Sequence, residues 1–164
     1  MKTLVITVII AMTSVVNAVS GNRTNQFAYN TETSEGRVET QTVFKVENAK
    51  YLHRHLKYNY IYDNAGRVSR KEVLKWNEAT QSFEKHHALN FFYTDDVTVE
   101  YAAWNEQKNA YADVEEKAVY QTAGGNLSYQ CYQWNPKESV WNLTTAHSTN
   151  GENSRLLADI TDKE

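Results

Sequence analysis

The chain has 164 residues, of which 41% are hydrophobic, and a formal net charge of −3. This is the size and composition of one globular domain, and the mild acidity argues against nucleic acid or anionic lipid as a partner, since both need clustered Lys and Arg. Cys131 is the one cysteine. No internal disulfide can form, so packing must hold the fold, and we expect this thiol to be buried as a small apolar residue.

The N-terminus has the pattern of a secretory signal peptide. Lys2 precedes an apolar run at 4–12, and Val16-Asn17-Ala18 offers the compact residues that signal peptidase reads. Residues 1–18 are therefore predicted to be removed by cleavage after Ala18, which predicts a secreted or periplasmic protein. The apolar run is shorter than the roughly 20 residues of a membrane span, so an uncleaved anchor is the less favoured alternative. We expect 19–164 to form a single all-β repeat domain without membrane insertion.

A tryptophan-asparagine pair recurs along the chain. The three copies are Trp76-Asn77, Trp104-Asn105 and Trp134-Asn135, and seven residues after each Trp stands another aromatic residue, Phe83, Tyr111 or Trp141. The copies are 28 and 30 residues apart, a period typical of repeat architectures. Between them, segments rich in Tyr, Val and Thr alternate with turn residues, which favours strands joined by hairpins.

These segments predict an all-β fold, an antiparallel meander of about ten strands built from roughly 30-residue hairpin repeats, arranged as a curled sheet or barrel-like. The predicted strands cover 25–31, 37–46, 51–62, 67–76, 83–93, 97–104, 111–120, 127–134, 141–147 and 155–160. The segment Asp113–Ala118 has helical propensity, but the corresponding segments of the other copies are strands, so we predict a strand there as well.

Alternation along a strand assigns side chains to faces. In the third strand it predicts that Leu52, Leu56, Tyr58, Tyr60 and Tyr62 share one face, and that His53, His55, Lys57 and Asn59 share the other. A turn at Asp63–Gly66 is expected to pair Tyr62 with Val68 and Leu56 with Leu74. In the second half of the chain, the aromatic residues of the last two copies are expected on the face opposite Val99 and Tyr101.

The sequence resembles two known families. The stretch Tyr60–Val68 is similar to the tyrosine-aspartate repeat of large bacterial shell-forming proteins. The signal peptide, the single-domain length and the alternating Tyr-Asp-x-x-Gly-Arg and Lys-Trp-Asn-x5-aromatic units resemble small exported proteins of Bacteroidetes, domain of unknown function 3836. The resemblance implies export and an all-β repeat fold, and it implies no activity.

The aromatic pairs have two interpretations. Because turns of one kind lie at one end of a meander, the three pairs are expected along one rim. They fix strand register, each adding about 0.2–1 kcal/mol, or they form a platform for a glycan or a peptide. The candidate ligand-binding residues are Trp104, Tyr111, Trp134 and Trp141.

Catalytic and metal-binding patterns are missing from the sequence. It has no Gly-x-Ser-x-Gly, His-Glu-x-x-His or glycine-rich phosphate loop, and the adjacent acids Asp95-Asp96 and Glu115-Glu116 cannot face each other across a cleft. His53, His55 and His86 are expected near Lys57 and Lys71, which would repel a cation, so solvated histidines are favoured over a metal site. We therefore expect no enzyme activity, no metal and no cofactor.

The predicted function is that of a secreted, non-enzymatic binding module, a monomer or weak oligomer, for glycan or peptide. The alternative is a structural or interaction protein that associates through edge strands near Phe27 and Leu156-Leu157. A hydrolase is the third and least favoured hypothesis.

Overall fold

The computed structural model describes residues 26–123 and 126–149, and every regular element within them is a β-strand. The strands are β1 (Gln26–Ser34), β2 (Arg37–Glu47), β3 (Tyr51–Tyr62), β4 (Val68–Asn77), β5 (Ser82–Tyr93), β6 (Val97–Asn105), β7 (Ala110–Tyr111), β8 (Glu116–Ala123), β9 (Asn126–Asn135) and β10 (Val140–Thr149). The predicted signal peptide and the predicted strand at 155–160 lie outside the described residues. Within those residues, no helix is long and apolar enough to span a membrane.

The strands pair in chain order. The order is β1-β2-β3-β4-β5-β6-β8-β9-β10, with β7 paired to β6 beside this path, and β1 and β10 are the two ends of the order. Short turns between consecutive strands favour this arrangement, because an antiparallel neighbour can be reached within a few residues. The prediction of an all-β antiparallel meander is confirmed.

Two compact units make up the chain, residues 1–87 and residues 88–164, and the boundary falls within β5. The buried residues of the first unit are Ala28, Val43 and Val73, and those of the second unit are Ala88 and Ala102. All five are small, so the described part of neither unit has a core of large apolar side chains. Instead, long aromatic and charged side chains cover one another on the sheet surface, where they are half-buried.

A bulge in β3 changes the predicted faces. Val43 and Phe44, which are consecutive in β2, pair with Leu56 and Arg54. His55 is therefore an extra residue in β3, which is a β-bulge. One extra residue reverses the alternation beyond it. The prediction that Leu52 shares a face with Leu56 is therefore wrong, and His53 lies on the face of Leu56 rather than opposite to it.

A second irregularity follows the turn between β3 and β4. Tyr62 pairs with Val68, as predicted, but the register then shifts by one residue. Leu74 consequently lies opposite Lys57, and the predicted pair of Leu56 with Leu74 is wrong. The shift adds a residue to β4 and keeps the turn itself in the expected place.

The seventh predicted strand is interrupted. Trp104 pairs with Tyr111, and Tyr101 pairs with Glu116. Between these two pairs β6 has two residues, 102–103, and the opposite segment has four, 112–115. The excess is taken up at 112–115, which has no regular structure. The prediction of an unbroken strand through Asp113–Ala118 is wrong, and the break separates the tip of the hairpin (β7) from its body (β8).

The turns after the three tryptophans share one geometry. In each, the side-chain oxygen of the Asn accepts a hydrogen bond from a backbone amide two or three residues further on, at 2.8–3.1 Å for Asn77, Asn105 and Asn135. Four residues after each Asn the backbone turns left-handed, with φ of 53°, 47° and 56° at Gln81, Asn109 and Ser139. The Asn side chain thus closes the turn and sets the aromatic residues that flank it in register.

The Tyr-Asp-x-x-Gly-Arg unit has a structural role at each position. The Tyr62 hydroxyl donates to the Val38 carbonyl at 2.8 Å. Asp63 accepts hydrogen bonds from the backbone amide and from the guanidinium of Arg67, both at 2.9 Å. Gly66 has φ of 80°, which favours glycine. The unit therefore forms a tight turn, and the hydrogen bond from Tyr62 to Val38 connects this turn to β2.

Candidate functional site

Each tryptophan turn supports a pair of aromatic rings. The ring centroids are 5.0 Å apart in Trp76–Phe83, 5.0 Å in Trp104–Tyr111 and 5.3 Å in Trp134–Trp141, with the planes inclined by 58–74°. These are the distances and inclinations that aromatic rings prefer. The three predicted pairs are present, and their role in ligand binding stays a prediction.

Two of these pairs lie on one face of the second unit. Tyr101 and Gln133 both pair with Glu116 and so share a face with it. Trp104 comes three residues after Tyr101, and Trp134 comes directly after Gln133. Because successive residues of a strand alternate between faces, both tryptophans point to the face opposite Glu116. We call the four residues Trp104, Tyr111, Trp134 and Trp141 the aromatic row. All four are half-buried.

Other side chains extend the aromatic row. Lys117 pairs with Tyr132, and Tyr132 pairs with Leu143, so these three share a face with Trp141. The Lys117 ammonium is 4.4 Å from the ring centroid of Trp141 and 5.6 Å from that of Tyr132. Leu143 is 54% exposed. The surface thus combines aromatic rings, an aliphatic side chain and one positive charge.

The pair of the first unit also has a cation beside it. The Arg54 guanidinium lies over Trp76, 4.8 Å from its ring centroid. The preceding strand therefore covers one side of this indole with a cation, a contact that stabilises the sheet. Trp76 belongs to the first unit and not to the aromatic row, so it is a matched control for the tryptophans of the row.

The opposite face of the second unit carries a depression of about 800 Å³, which we call the trough. Its residues form three rows across the strands. The floor consists of Val99, Ala118, Cys131 and Thr145, one wall of Tyr120 and Tyr129, and the other wall of Tyr101, Glu116 and Gln133. The trough is concave because the middle row has short side chains and both walls have long ones.

The tyrosine wall has unusual chemistry. The rings of Tyr120 and Tyr129 are 5.0 Å apart, and the Cys131 thiol donates a hydrogen bond to the Tyr129 hydroxyl. Contact with Cys131, and then burial, raises the pKa of Tyr129 well above its ordinary value, and burial followed by the proximity of Cys131 raises the pKa of Tyr120. Both phenols therefore stay neutral far beyond pH 7. The sequence predicted a buried Cys131, but the residue is half-buried.

The trough was not predicted from the sequence. The signal that could have found it is an alternation of small residues with tyrosines, Ala118 before Tyr120 in β8 and Cys131 after Tyr129 in β9. That alternation becomes a depression only when the register brings the small residues of neighbouring strands into one row. The register in turn depends on the break before β8.

The histidines have separate neighbours. His53 is 2.9 Å from the carboxylate of Glu47, and His86 and His87 contact each other through their Nδ1 atoms at 2.7 Å. Across residues 26–123 and 126–149, no three His, Cys, Asp or Glu side chains come together in a way that could hold a metal ion.

Comparisons with known proteins place the chain in a family. The model of a family of unknown function, DUF3836, matches residues 1–122. A crystal structure of a protein of unknown function from Bacteroides fragilis is similar, with 24% identity, a TM-score of 0.65, and coverage of 79% of this chain and 96% of that one. A DUF3836 family protein from Parabacteroides distasonis has 20% identity, a TM-score of 0.54, and coverage of 58% and 90%. Both likenesses show a shared fold. No curated protein matches the chain.

Proposed function

We propose that this chain, which belongs to the DUF3836 family of unknown function, is an exported, non-catalytic binding module that holds a peptide or a glycan on its aromatic row. One observation carries the proposal: Trp104–Tyr111 and Trp134–Trp141 occupy one face of the second unit, beside the exposed Leu143. Clustered aromatic and aliphatic side chains at a surface are typical of binding sites.

The dimensions suit an extended ligand. The row crosses from β6 to β10, which at the usual strand spacing is about 14 Å. Leu143 offers a contact for an aliphatic side chain, and Lys117 offers a positive charge, so a peptide with apolar and acidic residues fits this surface better than a glycan does. Export is supported by the N-terminal sequence pattern, and the non-catalytic role by the lack of catalytic sequence motifs.

An array of peptides and glycans probed with the exported chain tests the proposal. We expect hits among peptides that carry apolar and acidic residues, and quenching or shifting of tryptophan fluorescence when a hit is added. Trp134→Ala should weaken binding at least tenfold, which corresponds to about 1.4 kcal/mol.

Trp76→Ala is the matched control, because it breaks an equivalent pair in the first unit. It should leave the affinity unchanged. Each variant is first checked for native circular dichroism. Equal loss of binding in both variants, or unchanged binding in a folded Trp134→Ala, would contradict the role of the aromatic row.

A second candidate is association through an edge strand. Among the strands that the structure describes, β10 stands at one end of the order, and its ten residues include no Asp, Glu, Lys or Arg. It also exposes Val140 at 43% and Leu143 at 54%. Native edge strands are commonly protected by charges, so an uncharged edge favours pairing with another strand. Phe27, the other edge residue expected from the sequence, lies in β1 at the opposite end of the strand order, and its ring stacks on His55 with centroids 5.9 Å apart. Leu156-Leu157 lies outside the described residues.

The second candidate predicts a molecular mass that rises with concentration in analytical ultracentrifugation. Leu143→Lys should abolish the rise by placing a charge on β10. A constant monomer mass up to the highest attainable concentration would rule out this mode of association.

A further inference from the structure

We propose that the trough on the face opposite the aromatic row is a separate binding site for a short, uncharged oligosaccharide. The site lies within the second unit and uses side chains of β6, β8, β9 and β10. Lys117 and Tyr132 border both surfaces, but no wall residue of the trough belongs to the aromatic row, so the two sites are tested by different variants.

The shape of the trough fits a ligand that lies across the strands. Its two walls are rows of side chains that stand four residues apart along each strand, so about 13 Å separates them. Val99, Ala118 and Cys131 form the floor between the walls. From β6 to β10 the trough extends about 14 Å. A volume of about 800 Å³ is within the range of about 300–1,000 Å³ that is common for ligand sites.

The wall chemistry suits a sugar. Tyr120 and Tyr129 present rings against which the apolar face of a pyranose can pack, together with neutral hydroxyls. Across the floor, Glu116 accepts hydrogen bonds and Gln133 both donates and accepts, and both side chains are exposed. A ring with one apolar face and a rim of hydroxyls matches this combination of aromatic and polar walls.

The backbone disfavours a peptide in this place. β8 pairs with β6 on one side and with β9 on the other, so the main-chain groups of the floor already form ladder hydrogen bonds. A peptide on either face of these strands must therefore bind through its side chains, and the lining of the trough lacks an exposed apolar anchor such as the one that Leu143 gives the aromatic row. Sugar hydroxyls, by contrast, are satisfied by side chains.

The charge of the trough favours an uncharged ligand. Two of its lining residues in the described part of the chain are charged: Glu116 stands in a wall, whereas the ammonium of Lys117 lies on the opposite face over Trp141, so the walls present a single charge. A polyanion would require several cations, and a polycation several carboxylates. Neither is present in the lining.

The single thiol provides a direct test, because Cys131 lies in the floor and is the one cysteine of the chain. The rate of alkylation by iodoacetamide is measured on the exported chain with and without a panel of neutral hexasaccharides: β-1,4-glucan, α-1,4-glucan, β-1,4-mannan and β-1,4-xylan. We expect the free thiol to react and at least one hexasaccharide at saturation to slow alkylation at least tenfold.

Variants then locate the site. Gln133→Ala and Glu116→Gln change exposed wall residues and should each weaken protection at least threefold, whereas Tyr120→Ala should weaken it at least tenfold. Trp134→Ala, on the opposite face, is the control and should leave protection unchanged. The two exposed-residue variants keep the test decisive if Tyr120→Ala does not fold.

Several results would overturn the proposal. These are a thiol that does not react in the free protein, protection by none of the four hexasaccharides, and protection only by a sulfated glycan or by a peptide. Protection that Trp134→Ala abolishes and Gln133→Ala does not would also overturn it, since the sugar would then bind elsewhere.

Discussion

The two units use similar strands in different ways. In the first unit, cations lie over aromatic rings: Arg54 over Trp76 at 4.8 Å and Lys71 over Tyr58 at 3.8 Å. In the second unit Lys117 also lies over a ring, that of Trp141 at 4.4 Å, whereas Tyr120 and Tyr129 contact each other and line the trough. Long cationic side chains shield aromatic surface, whereas rings beside short side chains leave a concavity. The neighbours of an aromatic residue on its face therefore decide whether its ring is shielded or lines a concavity.

The largest effect on stability is expected from the shielded ring. Trp76→Ala removes a half-buried indole, its contact with Phe83 and the cation above it, and we expect a loss of about 2–3 kcal/mol in the free energy of unfolding. Urea denaturation followed by circular dichroism measures the loss. Trp134→Ala should cost less, and an equal or larger cost would remove the contrast between the units.

The glycine turns of the first unit come next. Gly36 and Gly66 have φ of 77° and 80°, so an alanine at either costs about 1–2 kcal/mol in backbone strain. A methyl group at Gly66 would also approach the Arg37 guanidinium to 2.9 Å, whereas at Gly36 it would meet nothing within 4 Å. Gly66→Ala should therefore lower the melting temperature more than Gly36→Ala. The reverse order would show that Arg37 does not contribute to this turn.

A smaller loss of stability, equal in the two units, is expected at the asparagine turns that both units contain. Asn77 closes a turn of the first unit and Asn135 closes a turn of the second, through side-chain bonds of 2.8 Å and 3.1 Å to backbone amides. Asn77→Ala and Asn135→Ala should each destabilise by about 0.5–1.5 kcal/mol, the usual net value of such a bond. Chemical denaturation of both variants tests this, and a loss confined to one of them would separate turns that share one geometry.

The smallest effect is a pH dependence that arises from His55 in the first unit. Burial, and then the charges of Lys45 and Lys75, hold the pKa of His55 below its ordinary value of 6.5. Above pH 6.5 this histidine is neutral in both states and does not change stability. As the pH falls below 6.5 the unfolded chain binds a proton that the folded chain resists, so stability decreases until the folded pKa is passed.

His55→Gln removes this titration. The variant should show a flatter pH dependence of unfolding below pH 6.5 than the parent chain, as measured by urea midpoints at several pH values. Identical slopes for the two proteins would mean that His55 is not held neutral by its surroundings.

The sequence predicted the local features of the fold. Strands, turns and the pairs Trp104–Tyr111 and Trp134–Trp141 follow from residues less than ten positions apart, so strand propensity and turn chemistry suffice. Faces are harder, because the single extra residue at His55 reverses every assignment beyond it. The trough was out of reach, since it depends on the relative register of four strands and on the two extra residues before β8.

One spectrum tests most directly the claim that the second unit binds and the first does not. The chain has four tryptophans, so labelling with 5-fluorotryptophan gives four fluorine resonances, assigned by single Trp→Phe variants. Addition of the best peptide or glycan from the array should shift the resonances of Trp104, Trp134 and Trp141 and leave that of Trp76 in place. A shift of Trp76 alone, or of no resonance under conditions where the ligand is bound, would contradict the account.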